Sequence, residues 1–257
     1  MRVAANLAFM FTDVPLLQRY ELAAKAGFKL VECPFPYSVP AEDLAKAATR
    51  NGLKHVLINA PCGNFEAGER GIAALPGRID EFTESVKTAI AYAKALACPQ
   101  IHVMAGVGVT TSETNAIYQA NLAVANELFE RESIRLLIEP CNSYSMPGYF
   151  LSSLPQAFGF LDGLTTNAKL LFDVFHVQQI HGQISALAKT YAPRIGHIQV
   201  AQVPARNEPD SPGELDYAYI FNLLNELNPD WIVGCEYLNK KSFETTAEWV
   251  PTLGLEF

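Results

Sequence analysis

The 257-residue chain has no CxxC pair, and its five cysteines, Cys33, Cys62, Cys98, Cys141 and Cys235, are odd in number and scattered. That usage fits the free thiols of a reducing compartment better than a disulfide framework. Basic charge is also short: 19 Lys and Arg stand against 27 Asp and Glu, a net charge of −8. Such a balance offers no electrostatic footprint for nucleic acid or for an anionic membrane. No apolar run is long enough to span a bilayer. Met1-Arg2 leads straight into strand-like Val3-Ala4-Ala5-Asn6-Leu7 and leaves no room for a signal peptide, so the expectation is a cytoplasmic globular protein. The Gly-rich phosphate loop of an open doubly wound sheet is missing too, because Leu7 is followed by Ala8-Phe9-Met10-Phe11. Low-complexity stretches and composition shifts are absent, so no linker divides the chain and residues 1–257 are expected to form a single domain.

What is present is apolar bulk, 49% of residues against 18% charged, enough for a large core. Strand-like and helix-like segments alternate. Helices are expected over 16–26, 41–51, 78–96, 115–129, 155–162, 183–191 and 217–227. Strands are expected over 3–7, 30–32, 55–59, 101–104, 136–139, 170–173, 195–199 and 231–236. Eight strand–helix units at about thirty residues each are the size of βα repeats. Eight parallel units close most economically as an α/β (β/α)₈ TIM barrel, whose active site lies at the C-terminal ends of the strands.

Four polar residues end four apolar runs in the second half: Leu136-Leu137-Ile138-Glu139, Leu170-Leu171-Phe172-Asp173, Ile195-Gly196-His197-Ile198-Gln199 and Trp231-Ile232-Val233-Gly234-Cys235-Glu236. A carboxylate at the mouth of a doubly buried strand is costly unless a cation compensates it. Three carboxylates and an amide arriving from adjacent barrel strands are hard oxygen ligands, and without a Cys among them Mg²⁺ or Mn²⁺ is the chemical expectation.

Ile138-Glu139-Pro140, Asp173-Val174-Phe175-His176, Gly196-His197-Ile198-Gln199-Val200-Ala201 and Gly234-Cys235-Glu236-Tyr237 resemble the hydroxypyruvate isomerase family of the xylose-isomerase-like barrels. The resemblance spans nearly the whole chain, including Ile58-Asn59-Ala60-Pro61, Leu75-Pro76-Gly77-Arg78, His102-Val103-Met104-Ala105-Gly106 and the loop Val203-Pro204-Ala205-Arg206-Asn207-Glu208-Pro209. It implies a metal held by Glu139, Asp173, Gln199 and Glu236, with the two glutamates also moving the proton between adjacent carbons through an enediolate. Many relatives in the wider superfamily carry His where this chain has Gln199; the amide matches the narrower isomerase family. The implied reaction interconverts hydroxypyruvate and tartronate semialdehyde.

A 2-oxo-acid substrate also carries a carboxylate, and Arg206 is the candidate to clamp it, since guanidinium pairs bidentately with carboxylates. His176 and His102 are candidate donors to substrate oxygens, and His197, two residues before Gln199, is expected as a satisfied core histidine. Glu32 is read as a rim residue or a partner of a neighbouring loop. Cys141 is read as a loop residue with no base beside it, and Cys235 as core. Residues 66–71 are read as a flexible lid, Arg78 as an anchor of the long helix, and Phe9, Phe11, Phe35 and Tyr37 as an apolar wall. Three competing functions remain: a 2-oxotetronate isomerase, a ketose 3-epimerase on the same barrel, and a catalytically silent metal or sugar binder. Zinc-dependent DNA-repair endonucleases share the superfamily but need clustered histidines and a basic groove, which five histidines and the acidic charge do not supply. The expected partner is a small-molecule 2-oxo acid or ketose, with neither nucleic acid nor membrane, and a homo-oligomer is compatible with the reading.

Overall fold

The computed structural model describes residues 1–164, 167–242 and 245–257. Eight parallel strands, β1 (Arg2–Asn6), β2 (Leu30–Glu32), β3 (Lys54–Asn59), β4 (Gln100–His102), β5 (Arg135–Ile138), β6 (Lys169–Asp173), β7 (Ile195–Val200) and β8 (Ile232–Cys235), pair in chain order, and β1 pairs with β8 to close the barrel. Around them lie α1 (Leu16–Lys25), α2 (Ala41–Arg50), α3 (Ile79–Ala95), α4 (Ser112–Arg131), α5 (Leu154–Leu161), α6 (Val174–Ile180), α7 (Ile184–Tyr191), α8 (Tyr217–Leu227) and α9 (Trp249–Thr252). This is the expected (β/α)₈ barrel. Among the described residues no helix is long and apolar enough to cross a membrane.

Alternation along each strand sorts side chains to two sides. Outward-facing Val3, Ala5, Val31, Ile58, Ile101, Ile138, Phe172, Ile198 and Val233 join the helices' Tyr20, Leu44, Val86, Leu122 and Phe221 in one continuous core. Inside the barrel, Ala4, Leu30, Leu57, Leu137 and Leu171 form a small apolar layer. Two residues further along the same strands come Asn6, Glu32, Asn59, Glu139 and Asp173. An apolar floor thus carries a polar storey above it, at the strands' C-terminal ends. The register aligns that storey: Asn6 pairs with Glu32, Asp173 with Gln199, and Gln199 with Gly234.

Two local differences from the sequence reading matter for the site. Helix α6 starts directly at Val174, where the sequence placed no helix, because the Asp173 side chain caps it, its Oδ1 accepting from the Phe175 N–H at 2.8 Å. Helix α4 begins at Ser112 rather than 115, set by a capping box between Thr111 and Thr114.

Candidate active site

Glu139 and Glu236 sit one residue beyond β5 and β8, while Asp173 and Gln199 lie within β6 and β7. All four come together at the C-terminal mouth. Glu139, Gln199 and Glu236 line one cavity of about 200 Å³ with His102, His176, Cys141, Arg206, Arg70, Met104 and Met146, and Asp173 lies beneath, 3.6 Å from His176 Nε2. Asp173 is 1% exposed and Gln199 2%. Glu139 Oε1, Asp173 Oδ2 and Gln199 Oε1 are buried oxygens without a hydrogen-bond partner. Three buried oxygen acceptors without a hydrogen bond, Asp173 Oδ2 having only the Arg206 guanidinium 3.5 Å away, are an uncommon arrangement around one site. They form the donor set a hard divalent cation takes, so the residues present fit such an ion.

Burial dominates the electrostatics. Glu139 is pushed well above the usual carboxylate range, first by desolvation and then by Glu236 and Asp173. Desolvation raises Glu236 to about 8 and Asp173 to about 6, with Arg206 opposing both shifts. Arg206 is the local counter-charge. Its Nη2 lies 2.5 Å from Glu236 Oε1 and 3.5 Å from Asp173 Oδ2, and its guanidinium is held between the rings of Phe9 and Phe175, 4.8 and 4.6 Å from their centroids. The guanidinium expected to meet a substrate carboxylate is therefore engaged by two of the protein's own.

His176 has a defined tautomer. The Asn142 backbone N–H donates to its Nδ1 at 3.1 Å, and the Asn142 amide nitrogen lies 2.7 Å away. Asn142 Oδ1 is taken by the N–H groups of Tyr144 and Ser145, which fixes the amide's direction. Nδ1 therefore accepts, and the proton of the neutral ring sits on Nε2, 3.6 Å from Asp173 Oδ2 and 3.9 Å from Glu139 Oε1. Burial, Arg206 and His102 hold this ring neutral. His102 is likewise held neutral by burial, its pKa lowered to about 3, with Nδ1 3.9 Å from Glu139 Oε2.

Under the carboxylates lies a residue read from sequence as a rim residue or a partner of a neighbouring loop. Glu32 is fully buried at the centre of the barrel. Its Oε2 accepts from Asn6 Nδ2 at 2.8 Å and from Gln199 Nε2 at 2.9 Å, and its Oε1 accepts from His197 Nε2. Asn6 also donates to Glu236 Oε2 at 3.3 Å. His197 is thus a core histidine as expected, but only half satisfied, since its Nδ1 has no partner. A Cβ at Gly234 would lie 1.9 Å from Glu32 Oε1, so β8 carries glycine there to make room for the carboxylate. The signal was legible: Leu30-Val31-Glu32 ends in an acid as three of the four longer runs do.

Cys141 is also corrected. It is buried against Glu139 and not in an open loop; one donor atom each of Glu139, Cys141 and His176 lie within 4.8 Å of one another. Burial and Glu139 hold its thiol protonated. Of the expected apolar wall, Phe9 and Phe35 line the cavity with Phe65. Phe11 belongs to the core, and Tyr37 donates its hydroxyl to the Asn59 carbonyl. Arg78 anchors as expected, pairing with both Glu69 and Glu81.

A family model described as a xylose isomerase-like TIM barrel matches residues 20–253. The chain is 37% identical to the hydroxypyruvate isomerase of Escherichia coli (strain K12), over 97% of this chain and 98% of that one. It is 40% identical to the 2-oxo-tetronate isomerase of Pectobacterium atrosepticum, over 96% of each chain. The crystal structure from Brucella melitensis titled as an AP endonuclease of family 2 superposes with a TM-score of 0.94 at 37% identity, over 98% of both chains.

Proposed function

We propose, from the premise that this chain belongs to the xylose isomerase-like TIM barrel family and within it to the hydroxypyruvate isomerases, that it interconverts hydroxypyruvate and tartronate semialdehyde with a divalent metal. The observation that carries the reading is the trio of buried oxygens on Glu139, Asp173 and Gln199 that lack a hydrogen bond, beside a second glutamate, Glu236. Glu139, Asp173, Gln199 and Glu236 would hold Mg²⁺ or Mn²⁺, whose chemistry is Lewis-acid stabilisation of negative charge on adjacent substrate oxygens. The alternative set of Glu139, Cys141 and His176 suits this less. It needs a thiolate where burial keeps a thiol, and a lone pair on the His176 nitrogen that carries the proton.

The protein's own groups do the proton work. One of Glu139 and Glu236 removes a proton from the hydroxymethyl carbon of hydroxypyruvate, leaving an enediolate, and the other, protonated from solvent beforehand, returns its proton to the neighbouring carbon; exchange with solvent then resets the pair. The hydroxyl proton passes between the two oxygens, so the product is the aldehyde with no net change in atoms. The glutamates come from non-adjacent strands, which leaves room for substrate between them. His176 Nε2–H donates to a substrate oxygen, and neutral His102 borders the same cavity. Glu32, through Gln199 and Asn6, fixes the floor on which these groups stand.

A 2-oxotetronate, one carbon longer, would use the same groups and is the second reading, supported by the Pectobacterium relative. A charge of −8 and a small cavity favour a small-molecule substrate over the endonuclease reading that the name of the Brucella structure would suggest.

The test is incubation of the protein with hydroxypyruvate and Mn²⁺ or Mg²⁺ in heavy water, followed by NMR. Tartronate semialdehyde should form with deuterium at the carbon that gains the proton. Glu139→Gln and Glu236→Gln should each cut the rate by about 10²–10⁴-fold. Turnover of free ketoses alone would overturn the reading in favour of a 3-epimerase.

A further inference from the structure

Two arginines line the cavity, and their charges are differently disposed. Arg206 lies among acids, paired with Glu236 and close to Asp173. Arg70, in the loop between β3 and α3, has only neutral partners: its Nη1 donates to the carbonyls of Phe65 at 3.0 Å and Glu69 at 2.8 Å. Among the described residues no carboxylate forms an ion pair with it. We propose that Arg70 binds the carboxylate of the 2-oxo-acid substrate and so selects acids over uncharged ketoses, while Arg206 holds Glu236 and Asp173 in place. The proposal rests on the isomerase reading above for the kind of substrate.

The guanidinium of Arg70 is pre-positioned. It lies over the Phe65 ring, 3.8 Å from the centroid, and Phe65 in turn packs on Phe35 at 5.3 Å. The two backbone bonds occupy Nη1 and leave Nε and Nη2 as donors, the fork geometry that carboxylates accept bidentately. The segment read from sequence as a flexible lid is tied down on both sides of Arg70. Glu69 accepts from the Asn64 N–H and pairs with Arg78. Gly71 sits at φ +110° and bridges to Ala105, where a Cβ would lie 2.3 Å from the Met104 carbonyl oxygen.

Placement supports the same division of labour. Glu139, Asp173, Gln199 and Glu236 enter from β5 to β8, whereas Arg70, Phe65 and Phe35 enter from the loops after β2 and β3. A three- or four-carbon acid has its reacting oxygens at one end and its carboxylate at the other. With the first end against the glutamates, its negative end belongs on the side away from them. Among the described residues lining the cavity, the cation there that no acid neutralises is Arg70.

The experiment is calorimetric binding of two matched probes in the presence of Mn²⁺: hydroxypyruvate, and dihydroxyacetone, which has a hydroxymethyl group in place of the carboxylate. Arg70→Met should weaken hydroxypyruvate by about 10–100-fold, the loss of a charge-assisted pair, and leave dihydroxyacetone unchanged. Arg70→Lys should recover part of the loss, and in turnover Arg70→Met should raise KM while nearly keeping kcat. Equal weakening of both probes, or a carboxylate-selective loss in Arg206→Met and not in Arg70→Met, overturns the assignment. So does wild type that fails to bind hydroxypyruvate. Selective binding through Arg70 without conversion would instead refute the isomerase reading and leave Arg70 assigned.

Discussion

An amide can offer a site either its oxygen or its nitrogen, and the choice at Gln199 is made from below. Glu32 has only acceptors, so the Gln199 Nε2 must face it, and Oε1 is left for the cavity. A glutamate at position 199 would set one buried carboxylate against another. Gln199→Glu should therefore destabilise the protein by on the order of 3–5 kcal/mol, the scale of an uncompensated buried charge. Exchanging the pair, with Glu32→Gln added, should restore much of it, because donor and acceptor are again opposed. Urea unfolding of both single variants and the double variant gives the coupling, expected at about 1–3 kcal/mol; simple additivity would mean that Glu32 does not orient this amide. At this scale the sequence was informative where a polar residue interrupted a long apolar run, as at Glu139 and Asp173. It was less so at Glu32, whose run is only three residues. Asn142 and Arg70 lie in loops where no periodicity points to a cavity, so their placement needed the folded chain.

Elements were legible because a buried parallel strand and an amphipathic helix differ in period and length, and every strand boundary falls within two residues of its expected position. Helix α6 escaped because its seven residues are too few to show a helical period and follow β6 with no loop between; the turn depends on one side chain, Asp173. The loop after β7 carries no such signal either, yet one residue organises it. Gln202, 2% exposed, accepts at Oε1 from the N–H groups of Val203 and Leu215 at 3.1 and 2.9 Å. Its amide nitrogen faces the carbonyls of Ser211 and Leu215 at 3.2 and 3.0 Å. The same turn sets Arg206, whose N–H donates to the Gln202 carbonyl at 2.8 Å. Replacing this amide with leucine keeps the bulk and removes the bonds. Gln202→Leu should open the segment 203–215 by about 2–3 kcal/mol, a few net hydrogen bonds' worth. Hydrogen exchange should show that loss of protection confined to the loop, and unchanged exchange there would show that Gln202 is not what holds it.

For the molecule as a whole, a closed barrel commits every strand to burial on both faces, so polar side chains within it must be neutral or paired. His55 on β3 is an outward-facing example, remote from the glutamates. It is 3% exposed, with the Tyr20 hydroxyl from α1 2.8 Å from its Nε2. Burial lowers its pKa to about 4 from an ordinary value of 6.5, and burial raises the Tyr20 hydroxyl, which stays protonated. The folded state therefore binds fewer protons than the unfolded chain between pH 4 and 6.5. Stability must rise with pH across that window and fall as the medium is acidified through it. His102 and His176, also held neutral by burial, act in the same direction. The contribution of His55 can be isolated by difference. Going from pH 7.5 to 4.5, wild type should lose about 2–3 kcal/mol more than His55→Gln, which offers Tyr20 both a donor and an acceptor but does not titrate. The measurement is the free energy of unfolding in urea at a series of pH values for the two proteins. Parallel curves would mean that His55 is protonated as easily in the fold as outside it, and that water reaches the packing between β3 and α1.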